Sequence, residues 1–200
     1  MDRARRALAV AAVFMALVAA VPAVLYLVGG AEYQRATTLA NGDSPAAALG
    51  PAATAETLLS AWPSPATLLG NINLTLFLRG APARLPTAIH WARQAVARNP
   101  TDPDLWVLLA DLQLAGGEPG AAKASASTAL GYGPWDPQAS AVLGVVAASQ
   151  NHRSDARKWL GRSLAVLPQR YLSSVLRDVN RGCRASPLSP QQPSLIFDCH

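Results

Sequence analysis

The stretch NPTDPDLWVLLADLQLAGGEPGAAKASASTALGYGPWDP, residues 99–137, decides the fold of this chain. Within PDLWVLLADLQLA, Leu105, Leu108, Leu109 and Leu112 recur at spacings of three and four, the pattern of an amphipathic helix. GGEP (Gly116–Pro119) then breaks that helix, and Pro119 suits the first turn of a second one, where its missing N–H goes unmissed. The second helix, AAKASASTAL, places alanine where two helices must approach closely; a leucine there would overpack at about 1–3 kcal/mol. NPTDP (Asn99–Pro103) and GPWDP (Gly133–Pro137) bound the unit, each with Asp or Thr suited to capping the helix that follows. The stretch therefore predicts one helical hairpin between two linkers.

The hairpin is one of a series. Pro100, Pro134 and Pro168 stand 34 residues apart, as do Ala88, Ala122 and Ala156, and the trio Ala95, Ala129 and Ser163. A fixed period of this length is the signature of stacked helical units. On these columns the chain resembles the tetratricopeptide (TPR) family, whose unit is a 34-residue helical hairpin. With proline at place 32 the repeats are 69–102, 103–136 and 137–170, and the family's small residues at places 20 and 27 fall on the alanines. Trp106 fills the large place 4 of the middle repeat, followed by Leu109 and Ala110 where the family has Leu-Gly; the last repeat has Leu143 and Gly144. Ile72 and Ser140 occupy place 4 in the outer repeats, and the aromatic places 11 and 24 are mostly lost. The resemblance covers about half of the chain and implies an all-α, TPR-like superhelix.

Outside the repeats, residues 30–68 are read as a juxtamembrane segment and a degenerate leading unit, with a helix over Ala46–Ala61 closed by WPSP (Trp62–Pro65). Residues 171–183 carry Leu172, Val175, Leu176 and Val179 on one face, as expected of a helix capping the last apolar surface of a solenoid. Residues 184–200, with SPLSPQQPS at Ser186–Ser194, predict a Pro-rich extended tail.

The other end reads as an anchor. Residues 7–29, ALAVAAVFMALVAAVPAVLYLVG, carry no charge, and 23 helical residues span about 34 Å, enough to cross a bilayer. Arg3, Arg5 and Arg6 precede the run, whereas Glu32 and Arg35 follow it and cancel, so residues 1–6 are expected in the cytoplasm and the body outside it. Pro22 kinks such a helix without breaking it. The competing reading is a signal peptide cleaved near Val21–Ala23, but the apolar stretch runs on past that site. Both readings export the body. The expected location is a bacterial inner membrane, crossed once.

The chemistry of the chain points away from catalysis. Net charge is +5, but the arginines are spread over the predicted helices, and only Lys123 and Lys158 are lysines; nucleic acid would require a continuous basic face. No phosphate loop, dinucleotide fingerprint, HExxH or nucleophile elbow occurs, and His90, His152 and His200 lie far apart. No enzyme activity, cofactor, metal or small-molecule substrate is expected. Trp91 and Trp159 share place 23 and are read as an exposed ridge. Cys183 and Cys199, both predicted outside the cytoplasm, are read as a disulfide contributing about 3 kcal/mol, with two free thiols as the alternative. Asn73-Leu74-Thr75 forms a glycosylation sequon inside a predicted helix.

The resemblance also implies a binding surface. First-helix residues of the family line a concave groove that receives a peptide or a helix; here they map to Asn73 and Phe77, then Asp104, Val107 and Asp111, then Gln138, Ala141, Val145 and Ala148. The carboxylate clamp by which some members hold chaperone C-termini uses Lys and Asn at these places, and no Lys stands here. The groove is expected to take an apolar or basic segment of an envelope protein, unless the capping helix or the leading unit fills it. The function this implies is a protein-interaction scaffold for a bacterial envelope complex, with exopolysaccharide assembly and secretion as candidate settings. The alternative is a structural subunit whose anchor helix is itself an assembly contact in a larger inner-membrane complex.

Overall fold

A computed structural model describes the backbone of residues 2–181, 184–185 and 197–198, and the side chains of residues 15, 18 and 20–181. Helices α5 (Pro103–Ala115) and α7 (Pro137–Ser149) start as their sequences dictate, on a proline behind an aspartate. The Asp102 carboxylate accepts the Asp104 N–H at 3.0 Å, and that of Asp136 accepts the Ala139 N–H at 2.7 Å. Each such cap is worth about 1 kcal/mol. Their hairpin partners are α6 (Pro119–Tyr132) and α8 (Arg153–Leu164), and an earlier hairpin pairs α3 (Pro63–Leu78) with α4 (Leu85–Arg98).

All three hairpins turn in the same way. The second residue after the first helix takes a left-handed backbone at Gly80, Gly117 and Asn151, with φ of 95°, 74° and 59°. The next N–H then reaches back five residues: Ala81 to the Leu76 carbonyl at 3.1 Å, Glu118 to Gln113 at 2.9 Å and His152 to Ala147 at 2.8 Å. This closure satisfies carbonyls that the helix end would otherwise leave bare.

The period of 34 holds strictly in the second helices, where Ala88, Ala122 and Ala156 are all fully buried, as are Ala95, Ala129 and Ser163. It does not hold in the first helix of the first hairpin. Gly80 stands 37 residues before Gly117, because a 3₁₀ turn at Pro82–Arg84 lengthens the first hairpin's connection by three residues. Helix α3 starts at Pro63, and on the 37-residue spacing the counterparts of Trp106, Leu109 and Ala110 are Leu69, Ile72 and Asn73. Place 4 of the first repeat is thus Leu69, with 3% exposure, and not Ile72.

The hairpins stack in chain order, α4 against α5 and α6 against α7. Helix α9 (Arg170–Arg181) closes the stack, burying Leu172, Val175 and Val179 against α7 and α8. At the other end the leading unit is also a hairpin, formed by the last third of α1 (Asp2–Ala40) and α2 (Leu49–Leu58). A 3₁₀ turn at Pro45–Ala48 joins them, so the helix expected over 46–61 is shorter at both ends. Ala36, Ala48 and Ala52 meet Leu69 and Ile72 there, continuing the core into the first repeat.

Helix α1 runs unbroken through Pro22 into this hairpin. Among the described residues no helix is long and apolar enough to cross a membrane. The side chains of residues 7–14, 16, 17 and 19 of the expected anchor lie outside the described set. Beyond α9, Arg184 and Ala185 (β1) pair antiparallel with Asp198 and Phe197 (β2). Cys183 and Cys199, and most of the predicted extended tail, lie outside the described residues.

Candidate binding groove

The first helices α3, α5 and α7 present one face to a shared concavity, and the longer first turn decides which residues of α3 reach it. Thr67, Asn71 and Leu74 line the groove, each 37 residues before Asp104, Leu108 and Asp111 of α5. Asn73 and Phe77, mapped to this surface on the period of 34, point inward instead. Asn73 is 1% exposed, its Nδ2 donates to the Leu69 carbonyl at 2.8 Å, and its Oδ1 has no partner. That burial also closes the sequon to a glycan. Phe77 packs into the α3–α4–α5 core and borders a separate small hollow with Pro82, Leu85 and Ile89.

The remaining expected residues divide between floor and support. Asp104, Val107, Asp111 and Gln138 line a concavity of about 590 Å³ with Asp136 and Leu167. Asp111, Gln138, Ala141 and Val145 also line an adjoining hollow of about 480 Å³ between α5, α7 and α9. Val107 is 3% exposed and packs against Ala129 and Ala139, so its bulk holds α5 on α6 and α7 more than it offers contact. Ala148 is buried in the α7–α9 core and lines neither hollow. Helix α9 contributes Tyr171 and Leu172 as one wall without filling the space.

The electrostatics are one-sided. Asp104, Asp111 and Asp136 face this space, and no Lys or Arg is among its described lining residues. Asp111 is solvent-exposed, yet it lines both hollows and their walls crowd its carboxyl. Partial desolvation by those walls, with the Asp136 carboxylate nearby, pushes it up to about 7. Behind it the hollow is mixed, walled by Leu114, Val142, Val145 and Leu172 with Gln138 and Gln169 among them. Ser163, at the small place where the other hairpins carry Ala95 and Ala129, adds a buried hydroxyl with no hydrogen-bond partner. These groups can receive an apolar side chain flanked by a cation. They include no convergent nucleophile and base. His90 and His152 are exposed on other surfaces, and among the described residues no three His, Cys, Asp or Glu gather to hold a metal.

The outer face differs. Trp91 is half-buried between the first two cores, while Trp159 lies beneath two cations, Lys158 at 5.2 Å and Arg162 at 5.7 Å from its ring. The most exposed tryptophan is Trp135, at 84%, with Arg162 stacked 5.1 Å from its ring and bonded to the Pro134 carbonyl.

Comparison with known proteins finds no matching family model and no curated protein of similar sequence. Solved structures do match. The crystal structure of the MamA protein superposes with a TM-score of 0.61 at 15% identity, covering 80% of this chain and 81% of that one. TTC0263, a thermophilic TPR protein of Thermus thermophilus, gives 0.58 at 19% identity over 80% and 81% of the two chains. At such identities the likeness concerns architecture, and it agrees with the repeat spacing, the repeated turn closure and the buried alanine columns: the chain has an all-α, TPR-like superhelical fold.

Proposed function

We propose that this chain is a non-catalytic, membrane-tethered scaffold whose concave groove captures a basic, partly apolar segment of a partner protein. The tether is the apolar part of α1, which would hold the body on the outer side of a bacterial inner membrane. The partner would belong to an envelope complex, such as one for exopolysaccharide assembly or secretion. The observation that carries the binding reading is the charge of the groove: three carboxylates with no cation among the described residues lining it, beside a hollow walled in part by Leu and Val. A cation placed there would relieve the repulsion between Asp111 and Asp136 and exclude acidic competitors. An apolar neighbour of that cation would fill the space between α5, α7 and α9.

The test uses the full chain in lipid nanodiscs and two labelled peptides of equal length, one alternating Leu with Arg and the other Leu with Glu. The Arg peptide is expected to bind, and D104K/D111K to weaken it about tenfold, equivalent to roughly 1.4 kcal/mol. Equal binding of the Glu peptide, or an affinity unchanged by the charge reversal, would overturn the reading.

A further inference from the structure

We infer that the turn between α2 and α3 rests on the membrane interface, with Tyr26 and Trp62 as its lipid contacts, so that the groove is held at a fixed pose above the bilayer. This rests on the membrane-anchor reading proposed above and specifies the surface and partner involved.

Four observations converge. First, no linker separates the apolar stretch from the body: α1 is one helix from Asp2 to Ala40, and its last third is already half of the leading hairpin. Second, that helix changes character sharply at Gly29. The consecutive residues Val24, Leu25, Tyr26 and Leu27 are all exposed, and at about 100° per residue they cover the whole circumference. A helix apolar on every side, met by the protein only where Trp62 approaches Tyr26, calls for a lipid surround. Gly29, by contrast, is buried. A Cβ there would lie 2.7 Å from Leu59 Cγ and 3.1 Å from Leu58 Cβ, so the end of α2 crosses α1 at this level and the protein body begins there.

Third, the crossing carries two half-exposed amphipathic rings facing the same boundary. Tyr26 is 55% and Trp62 54% exposed, and their centroids are 6.2 Å apart. Trp62 is anchored from behind. Arg98 of α4 donates to its carbonyl at 3.2 Å while paired with the Glu56 carboxylate of α2, so the turn that carries the indole is held by the body. Fourth, the length fits. The 20 residues from Ala7 to Tyr26 make about 30 Å of helix, one hydrocarbon thickness, which puts Tyr26 and Trp62 at the outer edge of the bilayer. Tyr and Trp favour that level, where the ring meets acyl chains and the O–H or N–H meets head groups.

The experiment reads tryptophan emission of the full chain in vesicles of phosphatidylcholine and phosphatidylglycerol, some carrying bromine near the head group and others near the chain ends. Shallow bromine is expected to quench the wild type more than deep bromine, and most of that quenching should vanish in Trp62→Phe. Circular dichroism of the same variant checks that the fold is intact, and Trp62→Tyr, which keeps an amphipathic ring, should lose the same quenched emission. Protein that floats with the vesicles but shows equal quenching in wild type and both variants would overturn this inference alone. Failure to float would overturn the anchor reading as well.

Discussion

The first hairpin and the middle one have the same parts list but different registers. Both end their first helix on a left-handed glycine, Gly80 or Gly117, and both bury an alanine at the fourth residue of the second helix, Ala88 or Ala122. They differ in three residues of turn. Those residues rotate the assignment of α3, sending Asn73 and Phe77 into the core and bringing Asn71 and Leu74 to the groove. A repeat period measured on second helices therefore fixes the stacking of a solenoid without fixing its binding surface, which first helices carry. The turn between the helices is where the two become independent.

The comparison breaks most visibly at Arg98. Its counterpart 34 residues on is Tyr132, half-exposed, whereas Arg98 pairs with the buried Glu56 and ties the leading hairpin to the first repeat. Arg98→Ala strands that carboxylate and should lower stability by about 3 kcal/mol. Tyr132→Ala, at an exposed position, should stay within about 0.5 kcal/mol. Urea unfolding of the full chain in detergent micelles measures both, and equal losses would mean that the leading hairpin is not coupled to the repeats through this pair. A second contrast sits at Gly144, which matches Ala110 in the middle hairpin and Asn73 in the first. A Cβ on Gly144 would come within 2.6 Å of Leu160 Cγ and 3.0 Å of the Leu160 backbone nitrogen. Gly144→Ala should therefore destabilise by about 2 kcal/mol despite its better helix propensity. Ala110→Gly should cost about 1 kcal/mol from propensity alone. If Gly144→Ala instead raised the midpoint, α7 and α8 would not be as closely packed as described.

These contrasts also separate what is legible in the sequence from what is not. The alanine columns, the proline linkers and the aspartate caps of α5 and α7 are local in sequence, and each survives as a buried position, a turn or a measured cap. On α5 and α7 the same register holds, and Asp104, Asp111, Gln138 and Ala141 border the two hollows. The α3 face escapes that register because proline and alanine columns carry no information about a turn that lies between them. The informative signal is Gly80, whose spacing to Gly117 is three residues longer than that from Gly117 to Asn151. Val107 maps as a contact because place alone cannot separate a groove residue from one wedged under the neighbouring helix. The role of α1 as half of the leading hairpin is hidden for another reason: ALAVAAVFMALV and AEYQRATTLA differ in hydropathy, and hydropathy reports the surroundings of a helix and not where it stops.

The smallest effect expected is at Asp111, and its sign tells whether the groove destabilises that carboxylate. Its carboxyl is raised from 3.8 to about 7, by burial first and by Asp136 second, so the folded chain holds this proton more tightly than the unfolded chain does. Below about pH 4 the group is protonated in both states and costs nothing. As pH climbs from there to about 7 the unfolded chain ionises first, and stability falls; above 7 the loss is complete and constant. Asp111→Asn removes the effect, so the variant should match wild type at about pH 4 and exceed it modestly at about pH 8, the gap being small because solvent reaches the side chain. Asp102→Asn, which alters a helix cap outside the pair formed by Asp111 and Asp136, is the control for the substitution itself. Thermal melts of the three proteins across this range give the answer. A wild-type midpoint that rises between pH 4 and 7 relative to Asp111→Asn would mean that the carboxylate is stabilised where it sits. The groove would then already be electrostatically satisfied, with no deficit left for a basic partner to fill.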